Sequence, residues 1–545
     1  MATGKGLDPD LVKSINWTLA LKRISMDVRT DFIHAPHISV IYARAGDSLV
    51  EQVTRELKAG AYRSGEPVTV EVPKTFRIAV ADARKGVFGP NYSRPGSILL
   101  PSDRLFYQAL ADQAAPVIGR ATDYERSFSH RLADVSSSAM FLSSRACWNQ
   151  LQDANSALAR THGVKYALRV DIANYFGSLN QHKLINVLSD RGYPGPLASK
   201  LEEILLGYTG ERNSRGILQG MYPSDLFGNF YLAPVDQFLK DDVSVPSTRY
   251  VDDLYIFLDS IESSVSVVRK LIPMLRSYDL ILNEAKSKIL PAKTLLTEEP
   301  DLEELFNDAF EEAKDQLTDE EMQSEYGFQA EWEDEDDDEK REALELAATR
   351  ALFESIEDYP GNEENIERFC LPLFAHAGSD HAVDHVLKAL SERPSMTQIY
   401  AAYLAGFFDN TEVKKFLASI LKEDVPMDWQ RMWVLAALMR AGGPDNGAVK
   451  NSLALLESGE RHYTLRASAA IYAGRFGDHA ARVKLTRLYS GLPTYIQLAI
   501  YYSSRNWPIA ERRTAKSSWG DHSPLHVLLT TALGAKAKKS SKLCP

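Results

Sequence analysis

The chain of 545 residues is 44% hydrophobic and 10% aromatic, enough to bury about two to four separate cores. It has no uncharged apolar run of about 18 residues and no apolar core in "MATGKGLDPDLVKSINW", so neither a helical membrane span nor secretion is expected. Its three cysteines, Cys147, Cys370 and Cys544, form no CxxC pair, which argues against a structural zinc site and for a reducing, cytoplasmic setting.

Residues 1–295 mix helical stretches with strand-like ones, punctuated by Gly and Pro. "VPK" stands at 72–74 and "RPGSILLPSDRLFYQAL" at 94–110, and "SFSHRLA" follows at 127–133. A β-prone run in "YALRVDIANYFGSL" then leads to Asp171, with Phe176 five residues on. "GILQGMYPSDLFGNFYL" supplies Gln219 and Gly220 ahead of a Ser, a Leu and an Asn. "TRYVDDLYIFL" at 248–258 sets Asp252 and Asp253 side by side in an apolar run. Two like charges repel there and resist leaving water, so the pair forms either the polar tip of a hairpin or a cation site. "DLILNEAKSKIL" closes the region with Asn283, Lys286 and Lys288.

Residues 296–342 are an acidic segment. Within it, 301–340 carry 19 Asp and Glu against two Lys, so the net charge of −12 belongs to this stretch and the rest of the chain is slightly basic. It reads as a solvated linker or exposed helix, with mimicry of a nucleic-acid backbone in a basic groove as the alternative. Residues 343–535 read as helix after helix. "AAYLAGFFDNTEVKKFLASIL", "VLAALMRAGGPDNGAVKNSLALL" and "ASAAIYAGRFGDHAARVKLTRL" align on Asp409, Asp445 and Asp478, at intervals of 36 and 33 residues. Such helix pairs bury their apolar faces only by stacking on neighbours. The basic tail, 536–545, is expected to be disordered.

Taken in order, four segments resemble the palm motifs of reverse transcriptases: "DIANYF", "QGMYPSDLFGN", "YVDD" and "LILNEAK". "VPK" and the Arg94-to-Arg104 stretch are similar to fingers motifs of the same family, and the resemblance spans about residues 10–292. It implies an α+β polymerase right hand, fingers and palm, followed here by an all-α repeat domain whose third unit resembles a HEAT-type repeat. Asp225 departs from the Pro that intron and retron enzymes carry after the Ser. A palm followed by α-helical repeats, together with "SFSHRLA", resembles the bacterial abortive-infection and unknown-group defence reverse transcriptases.

The resemblance implies an RNA-directed DNA polymerase acting in anti-phage defence. Template-independent or protein-primed synthesis at the same site, and a repeat scaffold with a vestigial polymerase, are the alternatives. Mg²⁺, with Mn²⁺ as substitute, would be held by Asp171, Asp252, the backbone carbonyl of Ile172 and, in support, Asp253, because hard cations take oxygen ligands. Lys74 and Arg94 would meet triphosphate oxygens, with Arg77 a competing candidate. Phe176 would exclude a ribose 2′-hydroxyl, Gln219 and Gly220 would lie against the nucleotide, and Lys286 would face the pyrophosphate. Tyr250 and Val251 would shape the primer end. The partners implied are dNTPs, an RNA template or single-stranded DNA product, a neighbouring non-coding RNA and further copies of the chain, with no membrane. A protein primer would need a Tyr nucleophile, for which Tyr495, Tyr501 and Tyr502 are candidates.

Overall fold

The computed structural model describes residues 6–77, 91–209, 214–296, 305–306, 309, 337–359, 361–422, 426–441, 445–520 and 523–535. The chain divides into two units: Met1–Val70 with Pro95–Thr297 and Gly520–Ser541, and Glu71–Arg94 with Glu298–Trp519 and Lys542–Pro545. Most of the acidic segment and the whole basic tail lie outside the described residues.

The first unit opens with helices α1 (Pro9–Ser14), α2 (Trp17–Asp27), α3 (Pro36–Arg44) and α4 (Gly46–Ala59). Asp8 and Asn16 cap the first two by accepting from the Asp10 and Leu19 amides, and α4 stops at Gly60, whose φ of 65° suits a residue without Cβ. Strands β1 (Val68–Arg77) and β2 (Asn91–Ile98) pair as a two-stranded sheet. Helix α5 (Pro101–Ala121) is buried along most of its length, from Pro101 to Ile118. Its Arg104 is 1% exposed and sits 2.5 Å from Asp27 and 3.1 Å from Asp31. A guanidinium so enclosed stays charged only beside carboxylates.

The palm follows: α6 (Ser144–Ala159), β3 (Tyr166–Val170), α7 (Tyr175–Ser178), α8 (Gln181–Asp190), α9 (Gly195–Tyr208), α10 (Tyr222–Tyr231), α11 (Ala233–Asp241), β4 (Ser247–Tyr250), β5 (Asp253–Leu258), α12 (Ile261–Ser277) and β6 (Lys288–Pro291). Four strands form one antiparallel sheet in the order β4-β5-β3-β6. Ala159, Ala167, Tyr255, Phe257 and Ala292 make one buried cluster on it. Both α6 and α12 pack against β5. That cover explains why "LYIFL" reads as a continuous apolar run rather than an alternating one.

The second unit contains helix Asp337–Glu354 and a series of helix pairs. Helices Glu363–Ala377, Thr397–Leu404, Asp428–Ala441, Tyr463–Phe476 and Thr494–Ser503 pack on one another in succession. Hydrogen bonds join successive pairs at near-constant separations. Gln430 Nε2 donates to Thr397 Oγ1 (3.1 Å), Trp507 Nε1 to the Gly474 carbonyl (2.9 Å) and Trp519 Nε1 to that of Thr486 (3.4 Å), each 33 residues apart. Asp445 and Asp478 cap their following helices, accepting from the Ala448 amide at 2.7 Å and the Ala481 amide at 2.9 Å. In the first repeat the cap is Asn410, which accepts from the Glu412 amide (2.9 Å), and not the aligned Asp409.

Two boundaries differ from the sequence reading. Helix Pro524–Gly534 packs against α3 and belongs to the first unit, so the helical repeats end at Trp519 rather than 535. Its buried His526, Leu528, Leu529 and Ala532 form an apolar face that α3 covers as well as another repeat would. The outer part of the β1–β2 sheet, Glu71–Arg94, groups with the second unit, where Thr75 Oγ1 donates to Glu364 Oε2 at 3.0 Å. Among the described residues no helix is long and apolar enough to cross a membrane.

Candidate active site

"TRYVDDLYIFL" folds as a hairpin. Strand β4 ends at Tyr250, Val251 and Asp252 make the turn, and Asp253 opens β5 opposite Tyr250. Strand β3 pairs with β5 so that Val170 faces Leu254. Asp171 follows β3 directly and Asp253 opens β5, so both stand at the same end of the sheet, with Asp252 in the adjoining turn. The sheet thus brings together carboxylates separated by 81 residues in sequence.

Asp171 and Asp253 are each held by partners of their own. Asp171 Oδ2 accepts from Asn283 Nδ2 at 2.7 Å, and its Oδ1 stands 3.5 Å from Lys286 Nζ. The Asp171 amide donates to Ser287 Oγ (3.1 Å), and its carbonyl accepts from the Asn283 amide (2.8 Å). The "LILNEAK" stretch is therefore bound to the end of β3. An isolated bridge between Ile172 and Leu282 makes the same connection. Asp253 Oδ1 lies 3.4 Å from Arg169 Nη2. Burial first, then the charges of Asp253 and Asp171, push the Asp252 carboxyl up to about 6 against the pull of Lys286. Asp253 is raised as well, again by burial first, with Arg169 opposing.

The donor chemistry suits a hard divalent cation: mutually repelling carboxylates in a half-buried turn are relieved by a charge that binds oxygen. Among the described residues, however, no three His, Cys, Asp or Glu side chains stand at metal-holding spacing. Lys286 and Arg169 instead take positions beside Asp171 and Asp253.

The other sequence candidates in this unit have packing partners of their own. Phe176 lies in α7, and its ring packs on Gly228 of α10, where an added Cβ would meet Phe176 Cε1 at 2.8 Å. The Tyr175 hydroxyl donates to the Gly228 carbonyl at 2.6 Å, tying α7 to α10 a second time. Gly220 has φ 85°, and a Cβ there would lie 2.4 Å from Phe32 Cε2, so backbone and space both demand glycine. Gln219 precedes it in the same half-buried bend. Tyr250 leans on α6: its hydroxyl donates to the Ser144 carbonyl (3.3 Å) and its ring meets Trp148 edge-on, centroids 5.2 Å apart. Ile172 is buried, 2% exposed.

Lys74 and Arg94 belong to the second unit, Lys74 exposed and Arg94 half-buried on its own strand. The Arg77 side chain lies outside what is described. Asp225 lies in the first turn of α10 and stands 3.9 Å from His130 Nε2, with its carboxyl raised by burial and by Asp27. Tyr495, Tyr501 and Tyr502 are buried at 5%, 3% and 7% exposure, as packing residues of the helical repeats. Sequence reasoning missed Arg169 and Arg249. A cation inside an apolar strand was the available signal, since each needs a buried or half-buried carboxylate close by.

Residues 112–301 match the model of the family described as reverse transcriptase (RNA-dependent DNA polymerase). No curated protein matches. Among solved structures, telomerase from Candida tropicalis in complex with the TWJ fragment of telomeric RNA is similar at 11% identity and a TM-score of 0.31, over 87% of this chain and 67% of that one. Apo telomerase from the same organism is similar at 10% identity and a TM-score of 0.29, over 85% and 71%. Telomerase from Candida albicans with the same RNA fragment gives 11%, 0.27, 84% and 69%. These scores are low, and the family match alone bears on what the chain does. The chain carries a reverse transcriptase domain and is an enzyme of the RNA-directed DNA polymerase class.

Proposed function

We propose that this chain, with its reverse transcriptase domain, builds DNA from dNTPs on an RNA template as part of a bacterial anti-phage response. The observation that supports the catalytic part is the pairing of β3 with β5, which leaves Asp171 and Asp253 at one end of the sheet with Asp252 in the adjoining turn. Asp171, Asp252 and the Ile172 carbonyl would hold Mg²⁺, or Mn²⁺ in its place, with Asp253 in support. Bound there, the divalent ions supply charge stabilisation for the attacking 3′-oxygen and the departing pyrophosphate.

The chain's own side chains do the rest. Lys286, 3.5 Å from Asp171, offers a cation to the leaving phosphates. Phe176, backed by Gly228, presents a ring where a ribose 2′-hydroxyl would sit and so favours deoxynucleotides. Gly220 keeps the bend after Gln219 tight enough for a nucleotide to lie against the backbone. Lys74 and Arg94 are assigned to triphosphate oxygens by motif alone. The defence role is supported by "SFSHRLA" and by the stacked, HEAT-like helices that follow the palm. In this reading the enzyme is a cytoplasmic homo-oligomer that also engages a neighbouring non-coding RNA. Tyr495, Tyr501 and Tyr502, buried in the helical stack, are given no priming role in this reading.

The test is phage challenge of cells carrying the wild-type chain or the Asp252→Ala/Asp253→Ala double variant. Protection by the first and not the second is expected. Equal protection would remove synthesis from the defence role and leave the helical stack as the active part.

A further inference from the structure

The turn between β4 and β5 has an unfavourable backbone. Val251 has φ 55°, a left-handed conformation that costs a β-branched residue more than most. Both of its peptide groups are gripped by buried side chains. The Val251 amide donates to Ser129 Oγ (2.8 Å), and its carbonyl accepts from Arg249 Nη1 (2.8 Å).

These two side chains meet at Asn229. Ser129 Oγ donates to Asn229 Oδ1 (2.8 Å), Arg249 Nη1 donates to the same oxygen (2.8 Å), and Asn229 Nδ2 returns a bond to the Ser129 carbonyl (2.9 Å). Arg249 is anchored in turn by Asp236, with Nη2 at 2.6 Å and Nε at 3.0 and 3.1 Å, and by Ser127 Oγ at 3.2 Å. Exposure is 1% for Arg249, 3% for Asp236, 6% for Asn229 and 0–1% for the two serines. The segment carrying those serines is laid along β4, for the Phe128 amide donates to the Arg249 carbonyl (2.9 Å) and the Arg249 amide to the Arg126 carbonyl (2.7 Å). A fork with donors on one plane can satisfy an amide oxygen, a carboxylate and a backbone carbonyl together, which a lysine cannot.

We propose that Arg249, Ser129 and Asn229, braced by Asp236, are positioning residues that lock the strained Val251 turn and thereby fix Asp252 relative to Asp171. This rests on the polymerase reading for its consequence, since the aim of Asp252 matters only if chemistry occurs there. The clamp also accounts for "SFSHRLA", whose Ser127 and Ser129 supply the outer jaw of the hairpin. Displacing a catalytic group slightly costs turnover more than binding.

Ser129→Ala is the discriminating variant, because it removes one oxygen from a buried site and leaves the rest of the packing in place. Arg249→Lys is the second, keeping the charge opposite Asp236 while losing the fork. Backbone amide exchange of the full-length chain is followed over peptides spanning the turn, together with kcat and KM for dNTP addition on a primed RNA template. In Ser129→Ala the turn amides should exchange about tenfold faster while β3 and the core of β5 stay protected. Its kcat should fall about tenfold with KM for dNTP within about twofold. Arg249→Lys should exceed both effects. Unchanged turn exchange in Ser129→Ala, or a rise spread evenly over β3, β4 and β5, would overturn the clamp. Should the wild-type chain add no deoxynucleotide at all, the polymerase reading fails separately, and the exchange measurement still decides whether the clamp exists.

Discussion

In the palm, Arg249 reaches Asp236, Asn229 and Ser127 across separations of 13, 20 and 122 residues. In the helical stack, Thr397 with Gln430, Gly474 with Trp507 and Thr486 with Trp519 each span 33. One region is built from contacts made once between distant parts of the chain. The other repeats the same near-neighbour contact. Stability in a stack is close to a sum over units, so damage stays local. In the palm several groups satisfy one another in a single buried cluster, and a loss at one is felt by all.

The two regions should therefore fail in different ways. The largest effect belongs to the palm: Asp252→Ala should reduce nucleotide incorporation by at least about a thousandfold, with circular dichroism unchanged. A residual rate within about tenfold of wild type would mean that Asp252 is not at the centre of the chemistry.

The stack offers a counterpart in Glu367, 0% exposed, which accepts from the Tyr400 hydroxyl (2.6 Å), pairs with His385 Nε2 (2.7 Å) and also takes Arg393 Nη1. Glu367→Ala removes the buried acceptor shared by Tyr400, His385 and Arg393, at a cost of about 1.5–3 kcal/mol. Limited proteolysis should show cuts confined to helices near Glu363–Ala377 while the palm fragment survives. Simultaneous loss of the palm would contradict the local character of the stack.

Back in the palm, Phe176→Ala should raise use of rNTPs relative to dNTPs by about 10- to 100-fold, read as a ratio of kcat/KM values. An unchanged ratio would return Phe176 to a purely packing role against Gly228.

The smallest effect is a pH dependence in the first unit. Asp103 accepts from the Tyr62 hydroxyl and the Gly65 amide (2.9 Å), and burial is the main cause that pushes its carboxyl up to about 6, with Glu56 adding to the rise. A folded value above the ordinary 3.8 means that this stability is full below about pH 4 and is lost as pH rises through 6. Between pH 5 and 7.5 the wild type should lose about 1 kcal/mol from this group in urea unfolding. Asp103→Asn should lose correspondingly less, although Asp31, also raised to about 6, keeps a slope of its own. An identical slope in the variant would show that Asp103 does not titrate there.

The sequence made the carboxylates legible because their signal is local. Asp171 ends a β-prone run, and the Asp252–Asp253 pair interrupts another. The helical stack was legible through its period, since Asp445 and Asp478 both became caps at the expected 33-residue interval. At the first repeat, Asp409 and Asn410 are adjacent and both suit a cap, so spacing alone could not choose Asn410. The last helix, Pro524–Gly534, was misassigned for a similar reason: an apolar face states that it needs a partner but not which one. The turn clamp was hidden because Ser129, Asn229, Asp236 and Arg249 share no periodicity. Only the charge of Arg249 within a strand hinted that a buried partner existed.

The most direct measurement is the sequence of the product that the purified full-length chain makes on a defined RNA template with all four dNTPs, beside the Asp252→Asn variant. The account predicts DNA complementary to that template from the wild type and none from the variant. Wild-type DNA unrelated to the template, or equal synthesis by both chains, would contradict it.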